Sequence, residues 1–394
     1  MPSLSSTVQG IRAGVFSVLQ KHIDAHAARG GDLVPLQIGD TWLEPPACAR
    51  FAPGEGAEPA LYDYGATAGL PALRRAIARF LAEARGITDV APDQELLVGC
   101  GGTHALHCVA RSILDEGDEV LLAAPYWPLA HGVLASAGAN VVEVSLTDRL
   151  YADPTLDAAD LFRPHVTKRT RALYLITPNN PDGKVLSRTH LAQLAELART
   201  HDLWVIADEV YADHAFDAPH ASMCTLPGMR ARTITAYSLS KSHALAGARV
   251  GYVLGPPEVI AAARRASTHS VYNVPVIAQR AALAALEGAP RWPERARDAY
   301  RAGRDQAVAG LAGLPLRFSV AEGGTYLFVD FAPVLRGRPL EGLLQRAIDH
   351  GVLLAPGKAF GLAYESWARL CYSAVPPERL QTGLDRLREA VETF

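Results

Sequence analysis

Trp204-Val205-Ile206-Ala207-Asp208-Glu209-Val210-Tyr211 and, further on, Thr233-Ile234-Thr235-Ala236-Tyr237-Ser238-Leu239-Ser240-Lys241 set the architecture of this chain. Each is a short strand-like run that breaks into polar side chains. The first is apolar up to Asp208, as a strand buried on both faces requires. The same texture repeats on either side. Strand-like runs occur at 96–99, 120–123, 141–144 and 172–176 before these two, and at 250–254 after them. Helical spacing of apolar residues fills 70–86, 103–115, 129–137 and 188–201. Seven buried strands separated by helices predict an α/β fold, a mainly parallel seven-stranded sheet sandwiched by helices.

Beyond Gly255 the pattern turns helical at 257–267, 276–287 and 293–312. Strand candidates at 326–331 and 369–373 flank a helix at 340–350, and a last helix runs over 377–391. This predicts a smaller α+β domain. At the other end, 7–30 reads as a helix stopped by Gly30-Gly31, followed by an extended arm at 33–38 and a Pro-rich loop through Pro59. The expected division is 1–45 as helix and arm packed on the small domain, 46–285 as the large domain, and 286–394 as the small one.

Composition excludes several classes. With 394 residues, 49% hydrophobic and 20% charged, the chain has the make-up of an ordinary globular protein. A net charge of −3 leaves no basic surplus for nucleic acid or an anionic membrane. The densest basic cluster, Arg291, Arg295, Arg297, Arg301 and Arg304, is interleaved with Glu294 and Asp298 and reads as a solvated helix face. Five cysteines at irregular spacing suggest neither a metal site nor a disulfide framework. The start lacks a secretory pattern, and no apolar run is long enough to span a bilayer. A cytoplasmic protein is the expectation.

In open α/β sheets ligands collect at the carboxyl ends of strands. The residues that follow each run therefore matter most. Gly101-Gly102-Thr103 would let an anion approach the start of a helix. Pro125-Tyr126-Trp127-Pro128 offers an aromatic surface, and Thr177-Pro178-Asn179-Asn180-Pro181-Asp182-Gly183 a rigid polar turn. Asp208 needs a cationic or donor partner if buried, although a helix N-cap is its plain alternative. Lys241 lies just past a strand, with Arg249 eight positions on. A lysine at such a place can condense with a carbonyl. Taken singly, each has an ordinary structural explanation.

Together they are specific. Gly39, Tyr64 with Gly69 five positions on, Asn180-Pro181-x-Gly183, Asp208-x-x-Tyr211, Ser238-x-Ser240-Lys241, Arg249 and Arg369 occur in chain order. This set resembles the class I/II aminotransferases, fold-type I pyridoxal-phosphate enzymes of the aspartate aminotransferase kind, over almost the whole chain. The resemblance implies pyridoxal 5′-phosphate held by Lys241 as a Schiff base. Asp208 would face the pyridine nitrogen, while Tyr211 and Asn180 would bond the ring's phenolate oxygen. Gly102, Thr103, Ser238, Ser240 and Arg249 would form the phosphate cup, and Trp127 would stack on the ring. Tyr64 would reach the phosphate of a neighbouring subunit, implying a homodimer with shared sites. Arg369 would fork the substrate α-carboxylate, helped by Gly39 and Asn180.

The implied reaction moves an amino group from an L-amino acid to a 2-oxo acid. Relatives of the same fold instead eliminate at a C–S bond or close a ring, and these residues do not separate such outcomes. A non-catalytic cofactor-binding regulator would need a DNA-binding module, and no segment is spare for one. A nicotinamide dehydrogenase would need a G-x-G-x-x-G after a strand, which the sequence lacks. Two departures stand out: Asp182 where the family has Thr, and Asp40-Thr41-Trp42 after Gly39, without the prolines the family usually has just after that glycine. Trp42, His269, Tyr272, Asn273 and Tyr326 are candidates for the substrate side-chain pocket.

Overall fold

The computed structural model describes residues 4–5, 11, 19–51 and 61–394. Residues 7–10 and 12–18 of the expected helix, and 52–59 of the expected loop, lie outside the described residues; within them, the first helix covers Gln20–Ala28.

Seven strands form the large sheet: β1 (Leu96–Cys100), β2 (Glu119–Ala124), β3 (Asn140–Ser145), β4 (Thr170–Ile176), β5 (Trp204–Asp208), β6 (Thr233–Ser238) and β7 (Val250–Leu254). Their order across the sheet is β1-β7-β6-β5-β4-β2-β3. The pairs β2–β3, β2–β4, β4–β5 and β5–β6 are parallel, and β7 alone runs antiparallel to its neighbours β1 and β6. Every residue of β2 and of β6 is buried, as expected of strands covered on both faces. Alternate side chains divide between two cores. Val120, Leu122, Ala172 and Ile206 pack with Ala105 and Val109 of the helix Gly101–Ile113, and Leu121, Leu173, Leu175 and Val205 pack with Leu191 and Leu194 of the helix Arg188–Thr200. Burying one such leucine contributes about 2 kcal/mol.

The reversed strand has a consequence for the site. Because β7 opposes the rest, its amino end lies at the edge where β1, β2, β4, β5 and β6 finish. Arg249, immediately before Val250, therefore arrives beside residues that follow those strands.

The smaller domain holds a four-stranded antiparallel sheet of β8 (Arg317–Phe318), β9 (Tyr326–Asp330), β10 (Ala355–Pro356) and β11 (Trp367–Cys371). The arm joins it: Val34–Pro35 pairs in parallel with Val352–Leu353, and Val34 and Leu36 enter its core. Of these short strands the arm reads from sequence as extended, whereas Arg317–Phe318, Val352–Leu353 and Ala355–Pro356 carry too little sequence to show a period. One expectation is corrected. In the helix Trp292–Leu311 the basic cluster is not uniformly solvated: Arg304 is buried, donating to Asp217, Asp305 and the Ala321 carbonyl. A helix-face argument cannot see partners contributed by loops distant in sequence. Among the described residues no helix is long and apolar enough to cross a membrane.

Candidate active site

A cavity of ≈ 490 Å³ opens at the strand ends. Its wall includes Gly39, Gly102, Thr103, Trp127, Asn180 and Asp208, together with Tyr211, Ser238, Ser240, Lys241, Arg249 and Arg369. Twelve of the thirteen residues expected at the site thus meet in one chain. Tyr64 is the exception. It is 87% exposed and packs edge-on against Tyr272, ring centroids 5.1 Å apart.

Lys241 sits on a one-turn helix, Leu239–Ser242, that starts directly from β6. The Ser238 hydroxyl accepts from the Ser240 N–H and fixes that turn. The Lys241 carbonyl lies 3.2 Å from Nε2 of His214, whose imidazole burial keeps neutral by lowering its pKa to about 4. The side chain is thus aimed from a fixed base, and Nζ donates to the Gly39 carbonyl at 2.5 Å.

Asp208 ends β5 and is 3% exposed. One oxygen accepts from the Tyr174 hydroxyl at 3.0 Å, the other from the Val210 N–H at 3.3 Å. Burial pushes its carboxyl up to about 6, while those two bonds pull the other way. No α-helix begins at Asp208, so the N-cap alternative does not apply. Among the described residues no ion pair reaches this buried carboxylate.

Arg369, on β11, is buried and likewise has no carboxylate partner among the described residues. Nη1 donates to Asn180 Oδ1 at 2.9 Å and Nη2 to the Gln37 carbonyl at 2.7 Å, while Nε is buried without a partner. Its guanidinium lies 4.2 Å from the Tyr326 ring centroid. Tyr326 in turn shares a 2.7 Å hydrogen bond with the Tyr211 hydroxyl. Asn180, which lines the cavity, spends its oxygen on Arg369.

At the opposite end, the helix Gly101–Ile113 starts with no side-chain cap and no acidic residue in its first turn. Its leading N–H groups and partial positive charge are left for an anion. Arg249 closes in so tightly that a Cβ on Gly101 would lie 2.4 Å from Nη2. The Ser240 hydroxyl is buried there without a partner. These are the features of a phosphate cradle.

Several expectations need correction. Trp42, His269, Tyr272 and Asn273 do not line the cavity of the chain that carries them; of that group only Tyr326 does. Trp42 is 38% and Tyr272 48% exposed. Ile38, Leu129, Tyr326 and Phe360 line the cavity beside the expected residues. Asp182 also stays out of the cavity. Its buried carboxylate accepts from Thr147 at 2.5 Å, from Asn179 at 2.8 Å and from the Lys184 N–H at 3.1 Å. Tyr174 is a contributor that sequence reasoning missed; the available signal was one phenol inside the aliphatic run Ala172-Leu173-Tyr174-Leu175-Ile176.

Comparison with known proteins agrees with this geometry. The family model "Aminotransferase class I and II" matches residues 31–387. An arginine–pyruvate transaminase of Pseudomonas aeruginosa is 35% identical over 369 residues, 93% of this chain and 90% of that one. An aspartate/prephenate aminotransferase of Thermus thermophilus is 33% identical over 399 residues, 100% of this chain and 98% of its own. The solved aspartate aminotransferase of Thermus thermophilus with maleate superposes at a TM-score of 0.89, with 32% identity, 99% of this chain and 100% of that chain covered. The N-succinyldiaminopimelate aminotransferase of Mycobacterium tuberculosis gives 0.88 at 29% identity, covering 98% and 100%. With fold, cavity and sequence in agreement along its length, the chain belongs to the class I and II aminotransferase family.

Proposed function

We propose that this protein is a pyridoxal 5′-phosphate-dependent aminotransferase, carrying an amino group from an L-amino acid to a 2-oxo acid with Lys241 as the cofactor's attachment point. One observation carries the reading. Lys241, a buried Asp208 without a cation and a buried Arg369 without an anion face the same cavity, beside an uncapped helix start. A ligand with an aldehyde, a protonatable ring nitrogen and a phosphate answers three of these needs, and a substrate carboxylate answers the fourth.

Bound at Lys241, the cofactor supplies an electron sink for the pair left on the substrate α-carbon when its proton departs. The remaining work falls to the protein. Arg369 would grip the α-carboxylate and so orient the substrate's α-carbon bonds in the cavity. Lys241 Nζ, at the cavity wall, would serve as the base that accepts and redelivers the substrate's α-proton. Asp208 stabilises the proton on the ring nitrogen. Tyr211 and the Asn180 amide donate to the phenolate oxygen, and burial keeps the Tyr211 phenol protonated for that purpose. Gly102, Thr103, Ser238, Ser240 and Arg249 hold the phosphate, and Trp127 covers the ring.

The side-chain wall of Ile38, Leu129, Tyr326 and Phe360 favours a donor with an aromatic or aliphatic side chain. The exposed Tyr64–Tyr272 pair supports a homodimer in which Tyr64 donates to the partner's phosphate. The free cysteines suit a reducing, cytoplasmic setting. The test is a half-reaction: purified holoenzyme is mixed with single amino acids, without any oxo acid, and its absorption followed. One equivalent of 2-oxo acid per site, with the cofactor left as its amine, is the expected result. Ammonia release with the aldehyde form retained would point to elimination instead.

A further inference from the structure

Tyr174 lies on β4 and Asp208 ends β5, two parallel neighbours in which Tyr174 pairs with Ile206 and Ile176 with Asp208. Side chains two residues apart on a strand share a face. Tyr174 and Asp208 therefore project from the same face, one two-residue step of about 6.6 Å apart along the strand direction, a span a tyrosine side chain covers. The ring is wholly buried in the cluster that contains Ile176, Ile206 and Ala236. Phenylalanine would fill this space with no polar atom to desolvate. The hydroxyl makes one side-chain contact, with Asp208 Oδ2 at 3.0 Å.

That contact is the better of the two that the carboxylate makes, since the Val210 N–H stands at 3.3 Å. We propose that Tyr174 is a positioning residue for Asp208: its hydroxyl fixes one carboxylate oxygen and favours the ionised group, so that Asp208 stands ready to pair with a protonated ring nitrogen in the cavity. The proposal rests on the cofactor reading given above. Its physical basis is that a buried carboxylate with few donors tends to take up a proton and lose direction, and a phenol in the low-dielectric interior counters both effects. Burial, with the Asp208 charge, holds the Tyr174 phenol well above its ordinary range, so it remains a donor throughout the working pH range.

The test uses holoenzyme loaded with pyridoxal phosphate carrying ¹⁵N in the ring, as wild type, Tyr174→Phe and Asp208→Asn. The ring-nitrogen NMR shift is titrated against pH, and kcat and KM are measured with one amino-acid donor. Thermal unfolding of each variant confirms that it is folded. In Tyr174→Phe the ring nitrogen is expected to lose its proton about one pH unit below wild type. With it, kcat should fall about tenfold while KM stays within about twofold. If Tyr174→Phe titrates and turns over like wild type while Asp208→Asn loses the ring proton, the cofactor reading stands and this proposal is overturned. Should Asp208→Asn also match wild type, the role given to Asp208 fails, and the proposal fails with it.

Discussion

Asn180 Oδ1 accepts from Arg369 Nη1 at 2.9 Å, joining a turn at the edge of the large sheet to a strand of the small domain 189 positions away. Buried without a carboxylate, Arg369 is held by two neutral acceptors, Asn180 and the Gln37 carbonyl, which leave its remaining donors for a ligand. Arg369→Lys keeps the charge and loses the planar fork. KM for both the amino acid and the oxo acid is expected to rise about 100-fold. The absorption of the bound cofactor should stay unchanged. Steady-state kinetics with a spectrum of the resting enzyme checks both; an unchanged KM would remove Arg369 from carboxylate binding.

Gly251, on the reversed strand β7, backs directly onto the phosphate turn. A Cβ there would lie 2.4 Å from the Gly102 nitrogen and 2.8 Å from the Tyr237 carbonyl oxygen, backbone atoms that cannot swing aside. Gly251→Ala is expected to cost about 2 kcal/mol or more in urea unfolding and to weaken cofactor binding more than tenfold. Equilibrium titration of the apoprotein measures the second effect.

Asp182 gives a pH-dependent prediction. Its carboxyl ionises near 3.8 when unfolded, whereas burial pushes it up to about 6 in the fold, against the hydrogen bonds from Thr147, Lys184 and Asn179. The folded state therefore binds the proton more tightly. The stability this confers is complete below the unfolded value and is lost as pH rises through the folded one. Asp182→Asn preserves the shape and removes the titration: its amide oxygen can accept from Asn179 and Lys184 while its nitrogen donates to Thr147. Relative to wild type, the variant should gain roughly 3 kcal/mol between about pH 4 and pH 7, and nothing more above that. Denaturant unfolding across that range decides it; a constant difference would contradict it.

Much of this was legible in the chain because the strands are continuous apolar runs and the chemistry follows directly after them. Asp208, Lys241 and the Gly101-Gly102-Thr103 turn each come within a few residues of a strand end, so local sequence places them. Asn180, Arg249 and Arg369 were placed by the order of motifs, since no local pattern brings positions so far apart into one cavity. What local sequence could not place is tertiary. Trp42, Tyr272 and Asn273 do not line the cavity of their own chain, since loop direction depends on packing, and Arg304 is buried by partners that its own helix face does not reveal. Tyr174 was hidden because a phenol in a buried strand looks like core until a register shows what it touches.

Attachment of the cofactor at Lys241 is the claim on which the remaining roles depend. Holoenzyme reduced with borohydride, digested and mapped by mass spectrometry tests it directly. A phosphopyridoxyl group on the Lys241 peptide, absent from Lys241→Ala, is the expected result. An unmodified Lys241, with the label on another lysine or on none, would contradict it.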